Sequence, residues 1–313
     1  MISSFFGKTK PANYIVLLIT VFVCYCFVHF FLFDKHYGPE YFILQLVTLA
    51  TLCFGYFVMN FIVKRNKVTG PNSYTILFFT LFLLVFPKTL IDSNAIYCSF
   101  FLLLALRRLI SLHSLKAIRS KLFDATLWIV IASLFYDWAL LFLCLVYLAT
   151  YVYEPKNIKN WLVPFAGVFA AGMVIYCVLT VFGWVDFVWE HYVFDYRFNK
   201  ANFLNWATST KLVLYIAAVS IVGLLSFVKL GKAGMGKVAT MRLVAVAFVL
   251  GVLLNFLVSG AEVYPIMVTF FPASIFFAKY VESIRRANMK EVTLMLSIFL
   301  PLMVFFLSLA IGD

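Results

Sequence analysis

The sequence predicts an all-α fold, a polytopic transmembrane helical bundle of about eleven spans, from its composition, its apolar runs and the placement of its basic residues. Hydrophobic residues make up 65% of the chain and charged residues 12%, and the mean hydropathy is +1.02. A soluble domain is about half apolar and about one quarter charged. The chain therefore has little surface that faces water.

The apolar runs are helices because a segment in lipid must satisfy its own backbone hydrogen bonds. In chain order the predicted spans cover residues 14–33, 42–63, 74–91, 95–106, 122–136, 138–153, 161–183, 211–228, 242–258, 264–281 and 292–311. The fourth to sixth runs are short, and the fifth and sixth turn around Asp137 as a hairpin. The first run lacks a small-residue cleavage site, so we expect a retained span. Residues 1–313 then form a single transmembrane domain.

The basic residues alternate between connections. With these spans, 20 of the 25 Lys and Arg residues fall in one set of alternate connections. Basic residues accumulate in cytoplasmic loops, so the pattern predicts a cytoplasmic N-terminus and a C-terminus outside. Nine of the 13 acidic residues fall in the outer connections. The outer face is therefore the side on which we expect a site.

Composition also bears on partners and cofactors. The net charge of +12 follows from this cytoplasmic bias, so we expect membrane lipids and no nucleic acid as partners. The six cysteines lie inside apolar runs and are interpreted as small buried hydrophobes. No metal-ligand set is predicted from them.

Four candidate residues lie in the short outer connections. Asp34 belongs either to an ordinary polar turn or to a site where its carboxylate acts as general base or binds a divalent cation. Asp137 has the same two interpretations. Lys88 is either a lysine that extends to the interface or a cation that holds a phosphate. Asp92 would pair with Lys88 if their helix continues, because the two are four residues apart.

The longest outer segment, residues 184–210, is predicted to be amphipathic and interfacial. Its polar residues recur every three to five positions, which predicts a helix over 186–200 that lies along the outer surface. It carries the densest group of titratable residues outside, namely Glu190, His191, Asp195 and Arg197. An interfacial helix needs such residues in any case, and the alternative is a substrate site.

Two basic segments face the cytoplasm in this topology. Residues 107–121, RRLISLHSLKAIRSK, suit anionic lipid headgroups. Residues 231–237 have the spacing of a phosphate-binding P-loop. However, Val238 stands where Ser or Thr must bind magnesium, and no strand precedes the loop. We therefore interpret this segment as a short basic loop.

Two stretches of the chain resemble known families. The opening ISSFFGKTKPANY, followed directly by a span, resembles a family of uncharacterised bacterial inner-membrane proteins. Residues 92–182, with a basic loop, a short helix pair and a second basic loop, look like the central helices of GT-C-type glycosyltransferases. That family takes sugars from polyprenyl-phosphate carriers on the outer side of the membrane. Its catalytic Asp lies in the first external loop, usually much longer than the one here, where Asp34 is the match in kind.

The resemblances imply a GT-C-like membrane protein that handles polyprenyl-linked sugars in envelope glycan assembly, in a bacterial cytoplasmic (inner) membrane. As an enzyme it would be a glycosyltransferase with Asp34 as catalyst. The implied ligand residues are Lys88 and Arg197 for the carrier phosphate, and Asp92, Asp137, Glu190, His191 and Asp195 for the substrate. The alternative is a non-catalytic membrane subunit of an envelope transport or secretion complex, with other envelope proteins as partners. A transporter is disfavoured because the span centres carry almost no charge.

Overall fold

The computed structural model describes residues 2–33, 38–194, 206–230, 234–258 and 263–311, and within them it consists of helices and their connections with no strand. The fold class is therefore all-α, as predicted. The α-helices in chain order are α1 Ile2–Phe6, α2 Pro11–Phe27, α3 Pro39–Arg65, α4 Tyr74–Val85, α5 Ser93–Ile110, α6 Ile118–Ser133, α7 Leu143–Tyr153, α8 Ile158–Phe182, α9 Asp186–His191, α10 Trp206–Lys229, α11 Met235–Leu257, α12 Phe270–Ser283 and α13 Ala287–Ile311.

Every apolar run predicted from the sequence falls on helical structure. Seven helices of the described residues are long and apolar enough to cross a membrane, and they cover residues 11–32, 41–65, 93–114, 158–182, 209–229, 236–257 and 287–307. Several helices extend beyond the predicted runs, as α3 does at both ends. Polar residues at the ends of an apolar run continue the helix, since the backbone hydrogen-bond ladder does not stop where the side chains change.

Four of the five irregular helical turns of the described residues gather at one end of the bundle. They are the π-helical turn Val28–Leu32 and the 3-10 turns Pro87–Leu90, Asp137–Phe142 and Pro265–Thr269, whereas the 3-10 turn Ser111–Ser114 lies at the other end. Pro87 and Pro265 account for two of them, because proline cannot donate a backbone hydrogen bond. Irregular backbone at membrane depth is tolerated where protein covers it. Leu90, Ala139 and Met267 in these turns are indeed buried.

Helix α4 lies in the interior of the bundle. All its side chains from Tyr74 to Leu84 are buried, and its rings pack on neighbouring helices, with Phe78 5.1 Å from Phe277 between ring centroids. Its 12 residues span about 18 Å, less than the roughly 30 Å of a hydrocarbon core. Because protein surrounds α4, its length need not match the bilayer. Helix α13, by contrast, lies at the periphery, and only 6% of its apolar stretch is buried.

Hydrogen bonds between connections define the two ends of the bundle. At one end the Asp92 carboxylate accepts hydrogen bonds from the Tyr136 hydroxyl and the Tyr264 amide. At the other end the Glu282 carboxylate accepts a hydrogen bond from the Gly70 amide. We call the first the acidic end, with connections 86–92, 134–137, 183–194 and 263–264. The second is the basic end, with connections 7–10, 66–73, 111–117 and 284–286.

The outer amphipathic segment departs from its predicted form. The helix predicted over 186–200 ends at His191, and residues 192–194 are not helical. The Tyr192 hydroxyl forms a 2.8 Å hydrogen bond with the Ser133 hydroxyl, and Phe194 has a positive φ of 49°. The prediction of one continuous helical stripe is therefore wrong at residues 192–194, because tertiary interactions outweigh the local pattern there.

The rest of that segment is only partly described. Residues 195–205 lie outside the described residues, and the last positions of 184–210 belong to α10, which begins at Trp206. An interfacial position for the segment stays a prediction.

Candidate functional site

Asp92 joins three connections at the acidic end. Its Oδ1 accepts a hydrogen bond from the Ala95 amide at 3.1 Å, which caps the N-terminus of α5. Its Oδ2 accepts hydrogen bonds from the Tyr136 hydroxyl and from the Tyr264 amide, the latter at 2.7 Å. The residue is only 8% exposed. Three hydrogen bonds to its own chain thus hold Asp92 in a positioning role, and its predicted role in substrate binding stays a prediction.

Lys88 lies near Asp92 in sequence but does not pair with it. Helix α4 ends at Val85, and Lys88 belongs to the 3-10 turn that follows. The two residues therefore do not share the continuous helix face that a pair would need, and no ion pair joins them in the part of the chain that the structure describes. Lys88 is half-buried, and its role in holding a phosphate stays a prediction.

A cavity of about 260 Å³ lies at the acidic end, between residues of separate segments. Its polar lining comes from Asn94 at the start of α5, Asp137 in the turn after α6, and His191 at the end of α9. The remaining wall is apolar or aromatic and consists of Phe135, Tyr136, Trp138, Val193, Phe194, Leu257, Val258 and Val263. The structure thus brings together two of the predicted site residues, Asp137 and His191.

His191 is held in a defined orientation beside this cavity. Its Nε2 lies 2.7 Å from the Ser133 carbonyl oxygen, and since a carbonyl only accepts, Nε2 must carry the proton. Nδ1 is then the ring nitrogen that is able to exchange a proton or accept a hydrogen bond. The Phe187 ring stacks on the imidazole, with 4.8 Å between centroids. The residue is positioned for proton transfer or for binding a hydroxyl.

Asp137 places a carboxylate in the same cavity. Its Oδ1 accepts a hydrogen bond from the Trp138 amide at 2.7 Å, which fixes the side chain. Burial raises the pKa of the Tyr192 hydroxyl, the bond to Ser133 lowers it, and the nearby Asp137 carboxylate raises it. Tyr192 therefore stays protonated at neutral pH, and it ties α9 to α6 beside the cavity.

The other predicted site residues do not lie in this cavity. Glu190 is exposed on α9 and does not line it. Asp34, Asp195 and Arg197 lie outside the described residues, so their predicted roles stay predictions. Among the residues that the structure describes, no group of three or more His, Cys, Asp or Glu side chains is placed to hold a metal ion.

Sequence reasoning missed a second feature, at the basic end. Two adjoining cavities of about 430 and 330 Å³ share Asn66 and His113 in their walls. We call them together the basic groove. Its cationic lining residues come from the ends of five helices and from the connection after α3, and they are Arg65, Lys67, Arg107, Arg108, Lys121, Lys237 and Lys279. The sequence places these residues on one side of the membrane, but it does not show that they converge on one groove.

Comparison with known proteins gives one match. A family model described as a family of unknown function (DUF6427) matches residues 10–312. No curated protein and no solved structure matches the chain. The expectation of an uncharacterised family is thereby confirmed, while the resemblance to GT-C-type glycosyltransferases is not tested.

Proposed function

Because the chain belongs to this family of unknown function, its role must be argued from its own residues, and we propose that it binds polyprenyl-linked sugars at the acidic end of the bundle. In this proposal it is a multi-pass protein of a bacterial cytoplasmic membrane and acts in envelope glycan assembly. The observation that carries the proposal is the cavity formed by Asn94, Asp137, Trp138 and His191.

The proposal includes about eleven crossings, with the acidic end outside. If only the seven long helices crossed, Asp92 and Tyr136 would lie on opposite sides of the membrane. They are joined by a hydrogen bond, which supports a crossing by each of the shorter elements as well. The placement of most Lys and Arg residues in the other set of connections supports a cytoplasmic basic end.

The lining of the cavity suits a sugar. A sugar ring has an apolar face that packs on an aromatic side chain such as Trp138, and its hydroxyl groups bind amides and carboxylates such as those of Asn94 and Asp137. The remaining apolar wall, which includes Leu257 and Val258, suits the first isoprene units of a carrier. Few polar groups within a mostly apolar cavity are the usual pattern of a small-molecule site.

If the protein is a transferase, the chemistry is glycosyl transfer. The bond from the sugar C1 to the carrier phosphate oxygen breaks, the acceptor hydroxyl oxygen bonds to C1, and its proton passes to a base. The carrier leaves as a phosphate anion. Asp34 is the proposed base, and Lys88 and Arg197 are the proposed phosphate contacts. His191 Nδ1 is a second group able to take the proton.

Binding of a short-chain polyprenyl-phosphate sugar tests the proposal. We expect the purified full-length chain to be stabilised against thermal unfolding by this probe and not by the same polyprenyl phosphate without its sugar. Asp137→Asn should weaken the apparent affinity about tenfold, because one charge-assisted hydrogen bond to a hydroxyl contributes roughly 1.5 kcal/mol.

Glu190→Gln is the matched control, since it also removes one carboxylate beside His191 but does not line the cavity. It should bind like the unchanged protein. Equal stabilisation by the probe with and without sugar, or equal weakening by the two substitutions, would overturn the assignment of the cavity to a sugar.

The non-catalytic subunit remains a second candidate on a different observation. Only 17% of the apolar stretch of α8 and 6% of that of α13 is buried, so each helix presents a broad apolar surface. Such an apolar surface suits contact with lipid as well as contact with a partner protein. The subunit would be favoured if a specific membrane partner co-purified with the chain and the probe did not bind. Substituting the exposed Phe299 and Phe306 of α13 should then abolish the co-purification.

A further inference from the structure

We propose that the basic groove is a binding site for the diphosphate headgroup of a lipid. The groove lies at the end of the bundle opposite the sugar cavity, and the inference does not depend on the proposed function. Positive-inside bias alone places basic residues in cytoplasmic loops. It does not require that they line a shared, partly enclosed cavity.

The groove has more positive charge than its acidic partners neutralise. Two of its cations have acidic partners, with Arg108 3.0 Å from Asp124 and Lys279 3.2 Å from Glu282. The other cationic lining residues have no ion pair with an acid in the part of the chain that the structure describes; they are Arg65, Lys67, Arg107, Lys121 and Lys237. Like charges held close together repel, so an anion bound between them is favoured.

Neutral groups hold two of these cations at the wall. The Lys121 ammonium donates hydrogen bonds of 2.7 Å to the Ser111 carbonyl and 2.7 Å to the Ser114 hydroxyl. The Arg107 guanidinium lies 4.6 Å from the centroid of the Phe61 ring. Both interactions fix a side chain without neutralising its charge. The groove is thus organised before any ligand arrives.

The amount of charge favours a diphosphate. One phosphate carries about −1.5 to −2 charges at neutral pH. The cations without an acidic partner in one half of the groove would balance that charge. Arg65, Arg107 and Lys121 line one half, and Lys67 and Lys237 line the other. Two linked phosphates would engage both halves. The amide groups at the start of α11, where Gly236 lines the groove, add donors that favour an anion.

The surroundings favour a lipid over a free phosphate compound. Phe61 in the groove wall belongs to one face of α3 together with Phe57 and Phe54, because the three are spaced by four and three residues. Their exposed fractions are 44%, 56% and 57%. This apolar stripe leads from the groove along the bundle, where an acyl or isoprenoid tail would lie.

The test is calorimetric titration of the full-length chain, in a zwitterionic detergent, with three probes. These are farnesyl diphosphate, inorganic pyrophosphate and farnesol. We expect farnesyl diphosphate to bind at least about tenfold more tightly than pyrophosphate, and farnesol not to bind. Equal binding of the two diphosphates would overturn the lipid assignment in favour of a free anion. Absence of binding by both would overturn the site.

Two double variants with the same loss of charge decide whether the groove itself binds. Arg65→Gln with Lys237→Gln removes one exposed cation from each half, and we expect the Kd for farnesyl diphosphate to rise at least about tenfold. Arg119→Gln with Lys156→Gln removes two exposed cations of the basic loops that do not line the groove. This control should change the Kd less than about twofold. Equal effects of the two variants would mean general charge attraction and would overturn the proposal.

Discussion

Asp92 shows how one carboxylate organises the acidic end. It caps α5 and also accepts hydrogen bonds from Tyr136 and Tyr264. Tyr136 and Tyr264 each adjoin an irregular turn, and Tyr136 lines the cavity that Asp137 and His191 also line. A buried polar group is stable when hydrogen-bond donors of this kind satisfy it. The position of the cavity therefore depends on a residue that does not line it.

Asp92→Ala should destabilise the protein by about 3 kcal/mol, because it removes the N-cap of α5 and the acceptor of the buried Tyr136 hydroxyl and of the Tyr264 amide. Thermal unfolding in mild detergent, followed by circular dichroism, measures the effect. Asp186→Ala is the control, since Asp186 is exposed and its loss should change stability by less than about 0.5 kcal/mol. Similar losses in both variants would contradict the positioning role.

Single residues were predictable from the sequence by type and by the end of the bundle at which they lie. Asp137 and His191 were selected because they are polar groups in outer connections, and they do line one cavity. Asp92 was selected by the same criterion, but it does not line this cavity, and its hydrogen bond with Tyr264 joins two residues that are distant in sequence. Hydrogen bonds between remote connections leave no local pattern. The sequence could not separate a positioning carboxylate from a lining one.

At the scale of helices, apolar runs were a reliable guide and irregular turns were not. The run 74–91 was predicted as one span, yet it is α4 followed by the 3-10 turn Pro87–Leu90. Proline marks that change, whereas nothing in the sequence marks the π-helical turn Val28–Leu32. The end of α9 was also missed, because it is set by tertiary interactions.

Helices α6 and α8 pack closely because Gly167 has no side chain. A Cβ at this position would lie 2.9 Å from the Cβ of Thr126, and a β-branched side chain cannot turn away. Gly167→Ala should therefore destabilise the protein by about 1–2 kcal/mol. Gly172→Ala, on the same helix, meets nothing within 4 Å.

The Gly172 control should be neutral or stabilising by up to about 1 kcal/mol, as alanine favours helix. Thermal unfolding of the two variants under one condition gives the comparison. If Gly167→Ala were as stable as Gly172→Ala, close contact of α6 and α8 would not be a feature of the fold.

At the scale of the whole molecule, successive connections lie at alternate ends of the bundle, which are the acidic end and the basic end. Composition and charge predicted this division. They could not predict that Arg65, Arg107, Lys121 and Lys237 line one groove, since that depends on how the helices pack around α4. Convergence of residues from separate connections is a property of the tertiary structure alone.

The number of crossings is the prediction on which both proposed sites depend. With about eleven crossings, Ser114 lies on the same side as the N-terminus and Glu190 on the opposite side. With only the seven long helices crossing, these two positions exchange sides.

The alternatives are distinguished by Ser114→Cys and Glu190→Cys, each made in a chain without its native cysteines. Intact cells that carry each variant are labelled with a membrane-impermeant thiol reagent. Both side chains are exposed. We expect Glu190→Cys to be labelled and Ser114→Cys to be protected until the cells are opened, with Lys10→Cys as the protected reference. The reverse result would place Asp137 and His191 on opposite sides of the membrane, and likewise Arg65 and Lys121, and would overturn both proposed sites.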